Sequence, residues 1–172
     1  FSDSGINEFT TQNGRKVFDG GGIIPDIATE TKVLTEETKA LIRSKALFNF
    51  AINYRNNNLT IKPAEEFRFS DSDFKQFQNF LKTETSFLTK QEASFKKAYE
   101  TLSDAQNKKV KKDYFSVLNT LKKEKIKSLL TNKEFIKNEI KQLILDQYYY
   151  QEGVYQNKLT SDKTVQEAVK LL

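Results

Sequence analysis

From residue 35 onward, apolar residues recur at the three- and four-residue spacing of amphipathic helices. The first predicted helix opens at Thr35 and runs toward Asn56, and the run Asn56-Asn57-Asn58 ends it. Leu41, Phe48 and Ile52 are predicted to share its inward face, with Leu47, Ala51 and Tyr54 beside them. The spacing therefore predicts one long helix at the start of a helical region.

Capping residues predict where three further helices begin. Ser70, with Asp73 at the third helical position, opens a helix that carries Phe74, Phe77, Phe80 and Leu81. Thr89 and Glu92 form a capping box before Phe95, Ala98, Tyr99 and Leu102. Thr131 and Glu134 form a second capping box before Phe135, Ile136, Ile140, Leu143 and Ile144.

Two more helices complete this region. A long helix is predicted over residues 107–130, with inward-facing Val110, Tyr114, Val117, Leu118 and Leu121. Ser161-Asp162 opens a short last helix carrying Val165, Ala168, Val169 and Leu172. Between them, Tyr148-Tyr149-Tyr150 is interpreted as an aromatic plug at a helix end, although it could stack on a peptide. Gly153 is interpreted as the helix stop.

The first 30 residues follow a different pattern, because five of the six glycines lie within residues 1–22. Asn13-Gly14 between β-favouring runs predicts a hairpin over residues 8–19 whose two turn residues both take positive φ. The fold class expected is mainly α, a multi-helix bundle behind a short N-terminal β-hairpin. Two domains are predicted, at residues 1–30 and 35–172.

Composition narrows the chemistry. The 172-residue chain contains no Cys and no His, which excludes disulfides, thiolate metal sites and Ser-His or Cys-His catalysis. We predict no metal and no cofactor. Asp71-Ser72-Asp73 resembles the start of a calcium loop, but the other ligands are missing and helix capping is favoured. A Ser-Lys dyad would need a desolvated lysine with a lowered pKa, and we expect no lysine in a clearly apolar setting.

Lysine is concentrated in residues 108–141, which hold eleven lysines and four acids, a net charge of +7. This stretch could bind an anionic lipid, a nucleic acid or an acidic protein, or it could be the solvated face of two helices. The chain has only four arginines, the residue that dominates base readout, so we expect no nucleic-acid partner.

One N-terminal motif resembles a known family. Asn-Gly-Arg followed by Gly-Gly-Gly-Ile and Pro-Asp resembles the end of the catalytic domain in C-terminal processing (tail-specific) serine peptidases of the exported, Bacteroidetes-like type. The stretches Leu41–Ala51, Tyr148–Gly153 and Ala168–Leu172 are also similar to such members. The motif residues, for which we expect a structural role, are Asn13, Gly14, Arg15, Gly20, Gly21, Gly22, Ile23, Pro25 and Asp26.

The resemblance implies an exported endopeptidase that cuts proteins near their C-termini with a Ser nucleophile and a Lys base, beside a PDZ domain. In the family both catalytic residues precede the Gly-Arg turn, so we expect this chain to be a non-catalytic fragment without activity of its own. Its expected role is to brace the catalytic domain or to shape substrate access; the alternative is a helical binding or oligomerisation module that presents lysines to an acidic partner.

The expected partners follow from the same resemblance. They are the parent's catalytic and PDZ domains, protein substrates reached through the parent, and a second copy of the chain paired through the N-terminal hairpin. Membrane contact is expected only through parts of the parent outside this chain. The expected location is the periplasm or the cell envelope.

Overall fold

The computed structural model describes residues 7–19 and 33–170. The chain divides into two compact units, residues 1–32 and 33–172. The smaller unit contains strands β1 (Glu8–Thr10) and β2 (Lys16–Phe18). The larger unit contains helices α1 (Glu36–Arg43), α2 (Ala46–Asn57), α3 (Asp71–Phe80), α4 (Lys90–Glu100), α5 (Asp104–Ser128), α6 (Lys133–Ser161) and α7 (Lys163–Val169), with a 3-10 turn at Leu129–Asn132. The predicted mainly helical fold with an N-terminal hairpin is confirmed.

The β-hairpin forms at the predicted place but with a different turn. β1 and β2 pair antiparallel, with Phe9 opposite Val17. Gly14 donates its backbone N–H to the Thr11 carbonyl at 2.9 Å, and Gly14 alone among the turn residues has positive φ, at 79°. The expectation that Asn13 also takes positive φ is wrong. The loop is one residue longer than a two-residue turn, and glycine in the left-handed region then closes it.

The predicted first helix is two helices, because the chain breaks at Ser44. Ser44 is extended, and its hydroxyl donates to the Leu41 carbonyl at 2.7 Å while accepting the Ala46 N–H at 3.2 Å. A serine that satisfies backbone groups in this way competes with helix continuation. The break also resets the helical phase. Phe48 and Ile52 are therefore exposed, and their predicted inward placement is wrong.

The main core lies between α2, α3 and α6 and is built on phenylalanine. Phe50 is 98% buried, and its ring lies 5.1 Å from that of Phe77, 5.5 Å from Phe80 and 6.0 Å from Phe69. On the opposite side α6 contributes a stripe at helical spacing: Ile136, Ile140, Ile144 and Leu145. Of the apolar residues predicted for the third helix, Phe74, Phe77 and Leu81 are buried and Phe80 is half-buried. The isoleucines predicted for α6 are buried.

The α4–α5 hairpin, residues 90–128, has a second and smaller aromatic cluster. Tyr114 stacks on Tyr99 with ring centroids 3.7 Å apart, and Phe95 lies 5.1 Å from Tyr114. The capping box at Thr89 and Glu92 is confirmed. α5 starts three residues earlier than predicted, because Ser103 and Gln106 form a capping box of their own.

The inward face predicted for α5 is only partly correct. Tyr114 is buried, and Leu118 and Leu121 are half-buried. Val110 and Val117 are exposed, and their predicted burial is wrong. At helical spacing they lie at the edge of the stripe that Tyr114, Leu118 and Leu121 form.

The junction between α5 and α6 contains no capping box, so that prediction is wrong for Thr131 and Glu134. The chain passes through the 3-10 turn without an extended residue, and Asn132 precedes α6 without capping it. The Asn132 side chain instead binds the start of the helical unit. Its Oδ1 accepts from the Thr35 N–H and the Thr38 hydroxyl, both at 3.0 Å, and its Nδ2 donates to the Val33 carbonyl.

α6 is kinked at Tyr150, which has φ 55° and ψ −163° and a side chain that is 80% exposed. Gly153 lies beyond the kink inside the helix, so its predicted role as a stop is wrong. A side chain at this glycine would overlap Tyr149 Cβ. Glycine is therefore required here for close packing and not for a left-handed cap. The predicted start of α7 is confirmed, since Asp162 accepts from the Thr164 and Val165 N–H groups.

Candidate functional site

The family-motif residues within the described ranges form the turn of the β-hairpin. Asn13 and Gly14 make the turn, and the Arg15 N–H donates to the Thr11 hydroxyl at 3.1 Å. The other motif residues lie outside the described residues: Gly20, Gly21, Gly22, Ile23, Pro25 and Asp26. Asn13 and Gly14 thus lie in a hairpin turn, where glycine commonly shapes the backbone, and the structural role expected for the whole motif stays a prediction.

Lys125 and Glu92 form a buried ion pair that joins α5 to the start of α4. The Lys125 Nζ lies 2.6 Å from Glu92 Oε2 and donates to the Phe87 carbonyl at 2.7 Å, and the side chains are 5% and 3% exposed. The ammonium also lies over the Phe87 ring, 4.2 Å from its centroid. Burial lowers the pKa of Lys125, while Glu92 acts in the opposite direction. The arrangement satisfies both charges internally, which marks it as a structural anchor.

The second buried lysine stands beside a serine. Lys141 is 91% buried, and its Nζ lies 3.0 Å from Ser161 Oγ. Burial lowers the pKa of Lys141, with the nearby positive charge of Arg68 acting in the same direction. The expectation that no lysine is in an apolar setting is therefore wrong for Lys125 and Lys141. A lysine beside a serine with a lowered pKa is the basic requirement of a Ser-Lys dyad.

The hydrogen bonds around Ser161 do not suit a nucleophile. The Ser161 hydroxyl donates to the Asn157 carbonyl at 2.8 Å, so its proton points away from Lys141, which donates to it. Asn157 in turn donates to the carbonyls of Ala64 and Phe67 at 2.6 and 3.3 Å. This network fastens the segment before α3 to the end of α6. These hydrogen bonds satisfy the buried polar groups of Lys141, Ser161 and Asn157, and none of them directs the serine proton to a base.

Asp71 forms ion pairs with two lysines of α6. The Lys137 Nζ lies 2.8 Å from Asp71 Oδ1, and the Lys133 Nζ lies 2.9 Å from Asp71 Oδ2. The neighbouring Ser70 and Asp73 form the capping box predicted there. The hydrogen bonds from Lys137 and Lys133 lower the pKa of Asp71 to about 2. Within the described ranges, no group of three acidic side chains could hold a metal ion.

Two of the three consecutive tyrosines fix the segment between α2 and α3. The Tyr148 hydroxyl donates to the Asn58 carbonyl, and Arg55 stacks 4.4 Å from the Tyr148 ring centroid. The Tyr149 hydroxyl donates to the Lys62 carbonyl at 3.1 Å. The predicted aromatic plug is correct for these two, whereas Tyr150 is exposed.

α5 carries eight lysines. Apart from the buried Lys125, the α5 lysines make no ion pair within the residues that the structure describes: Lys108, Lys109, Lys111, Lys112, Lys122, Lys123 and Lys127. Phe115 lies among them and is 46% exposed. None of the described helices is both long and apolar enough to cross a bilayer.

Comparison with known proteins identifies the larger unit. The family model described as "Probable PDZ-protease, C-terminal helical domain" matches residues 37–172. The chain belongs to this family. The prediction of a C-terminal region from a PDZ-containing protease is confirmed. No curated protein and no solved structure matches the chain significantly.

Sequence reasoning missed the buried lysines and Asn132. Glu92 was recognised only as a capping residue, although it also binds Lys125, 33 positions away. Lys125 and Lys141 do occupy helix positions in line with apolar residues, Leu121 before one and Ile144 after the other. A lysine at an inward position of a helix is the signal that could have revealed a buried partner.

Proposed function

We propose that this chain is the non-catalytic C-terminal region of an exported serine endopeptidase that processes protein C-termini. In this proposal the helical unit braces the catalytic domain or shapes the access of substrate to it. The observation that carries the proposal is the family match over residues 37–172. The Asn13 to Asp26 motif, which resembles the end of a tail-specific peptidase domain, supports the serine mechanism and the substrate class.

The internal structure of the helical unit supports an accessory role. The buried lysines are bound by Glu92 and Ser161 within networks that satisfy the backbone, and the Ser161 proton is directed to a carbonyl. The nucleophile and base would come from the parent's preceding domain. Export to the periplasm or cell envelope belongs to the same proposal, and fractionation of cells that express the full-length protein tests it.

Deletion of the helical unit from the full-length protease tests the role directly. The parent, the parent without residues 33–172 and a Phe77→Ala parent are compared in thermal unfolding and in cleavage of an unfolded protein and a short peptide. Phe48→Ala is the matched control, because Phe48 is 47% exposed whereas Phe77 is fully buried.

The two versions of the role give different results. Bracing predicts a lower melting temperature of the catalytic domain and a lower kcat on both substrates. Substrate access predicts an unchanged melting temperature and a higher KM for the protein substrate alone. A deletion that changes none of these would refute the accessory role, and activity in this chain alone would refute its non-catalytic assignment.

Pairing between two copies through the β-hairpin stays a prediction. The strands are three residues long, and Phe9 and Phe18 on them are about half exposed. Exposed strand edges tend to pair with another strand. Sedimentation equilibrium over a range of concentrations, with Phe9→Lys as the weakened variant, tests the pairing. A concentration-independent monomer would contradict it.

A further inference from the structure

One face of α5 combines an exposed aromatic ring with unpaired lysines. Lys108 and Lys111 lie seven and four positions before Phe115, and Lys122 lies seven positions after it. At these spacings all four side chains share one helical face. None of the three lysines forms an ion pair with any described residue. We call Phe115, Lys108, Lys111 and Lys122 the Phe115 patch.

The ring at the centre of this patch is held in place by its neighbours. Phe115 meets Tyr114 at a centroid distance of 5.1 Å and Tyr99 at 6.4 Å, both edge-on. A ring fixed in this way loses little conformational freedom when a partner covers it. Aromatic anchors surrounded by polar side chains are the usual centres of binding energy in protein interfaces.

The charge on the Phe115 patch is not balanced locally. In the body of the unit, Lys133 and Lys137 pair with Asp71, and Lys39 pairs with Glu36. Among the acids of α5, Asp113 and Glu124 are two and nine positions from Phe115 and so lie on other faces. Asp104 lies on the same face as the patch, four positions before Lys108, but forms no ion pair with it. A partner with negative charge would therefore pair with lysines that form no ion pair within the fold.

We propose that the Phe115 patch binds an acidic protein segment, which places an apolar side chain on Phe115 and its carboxylates on the three lysines. α5 contains no arginine, which disfavours nucleic acid. The long apolar face of α5 packs on α4 through the buried Tyr114, which leaves one exposed aromatic on this face. Interfacial membrane helices instead insert a broad apolar face.

This proposal goes beyond the accessory role and does not depend on it. The patch would serve a substrate, a regulator or an adaptor with the same chemistry. A binding assay on the present chain needs no peptidase activity, so its failure and the failure of the accessory role are separate results.

The test uses a labelled synthetic amphipathic peptide of about three heptads, with leucine at the apolar positions and glutamate at the others. Fluorescence anisotropy measures its binding to the chain, to Phe115→Ala and to the triple variant Lys108→Gln, Lys111→Gln, Lys122→Gln. The matched control is Lys109→Gln, Lys123→Gln, Lys127→Gln, which removes the same charge from other faces of α5. Circular dichroism checks that each variant is folded.

We expect salt-sensitive binding that weakens about tenfold or more in Phe115→Ala and in the first triple variant, and about twofold or less in the control. Equal weakening in both triple variants would overturn the proposal, because the lysines would then act only as a diffuse charge. No binding of the peptide, or stronger binding to anionic vesicles or to single-stranded DNA than to the peptide, would overturn it as well.

Discussion

The main core and the α4–α5 hairpin are stabilised by different means. In the main core, phenylalanine rings from α2 and α3 pack against the isoleucines of α6, so the stabilising free energy is distributed over many apolar contacts. In the α4–α5 hairpin, a small tyrosine cluster is combined with the buried pair of Lys125 and Glu92. The first arrangement should unfold as a whole, whereas the second depends on one directional contact. The main core therefore acts as the scaffold, and the α4–α5 hairpin is an attached element that we expect to unfold without it.

Phe77→Ala should produce the largest loss. Phe77 is fully buried in the main core, and the substitution leaves a cavity that costs about 4 kcal/mol of unfolding free energy. Urea unfolding followed by circular dichroism measures the loss. Tyr114→Ala in the α4–α5 hairpin should cost less and act locally. Equal losses from the two substitutions would show that the regions form one cooperative core.

Lys125→Met should detach the α4–α5 hairpin with a loss of about 3 kcal/mol, because Glu92 would remain buried without its counter-charge. Hydrogen exchange should rise in residues 90–128 and stay unchanged in α2. The double variant Lys125→Met, Glu92→Gln should recover most of the stability, since it removes both charges and keeps an oxygen that accepts from the Thr89 N–H. A double variant that is no more stable than the single one would contradict this account.

Gly153→Ala should destabilise the main core by about 2 kcal/mol, because the added methyl overlaps Tyr149 Cβ. Alanine normally stabilises a helix by about 1 kcal/mol over glycine. The sign of the effect therefore distinguishes close packing from helix propensity. A higher melting temperature in the variant would show that the kink at Tyr150 relaxes freely.

Acid should remove the smallest contribution. Lys137 and Lys133 lower the folded-state pKa of Asp71 from its ordinary value of 3.8 to about 2. A lowered carboxyl pKa stabilises the fold above the unfolded-state pKa, and this stabilisation is lost as the pH falls from about 4 through about 2. Asp71→Asn should therefore have a slightly lower melting temperature than the wild type near neutral pH, and the difference should vanish near pH 2. A constant difference over that range would exclude the ion pairs as its cause.

The sequence predicts what depends on neighbours in the chain. The caps at Ser70 and Thr89, the end of α2 and the position of the β-hairpin are local, and each is confirmed. Ser44 shows the limit of this reasoning, because one serine that binds its own backbone divided a continuous periodic stretch and rotated Phe48 out of the core. The periodicity alone could not signal the change of phase.

What the sequence did not predict depends on distant partners. Lys125 stands in a lysine-rich stretch that is typical of a solvated face, yet it is buried and donates to Glu92 and to the Phe87 carbonyl. Gly153 appeared to be a helix stop, yet Tyr149 packs against it. The lysines of the Phe115 patch were predicted as a group, but only the structure shows which of them share a face with an exposed ring.

Asn132 also makes a contact that can form only late in synthesis. Its side chain binds the Thr35 backbone across 97 residues of chain and so joins the first helix to the turn before α6. During synthesis at about 5–20 residues per second, the start of α1 must wait about 5–20 s for this partner to leave the ribosome. During that interval α6 has not been synthesised, so the apolar faces of α1 and α2 stay exposed and chaperones can bind them. Until α6 is made, the nascent chain therefore exposes apolar surface that favours aggregation.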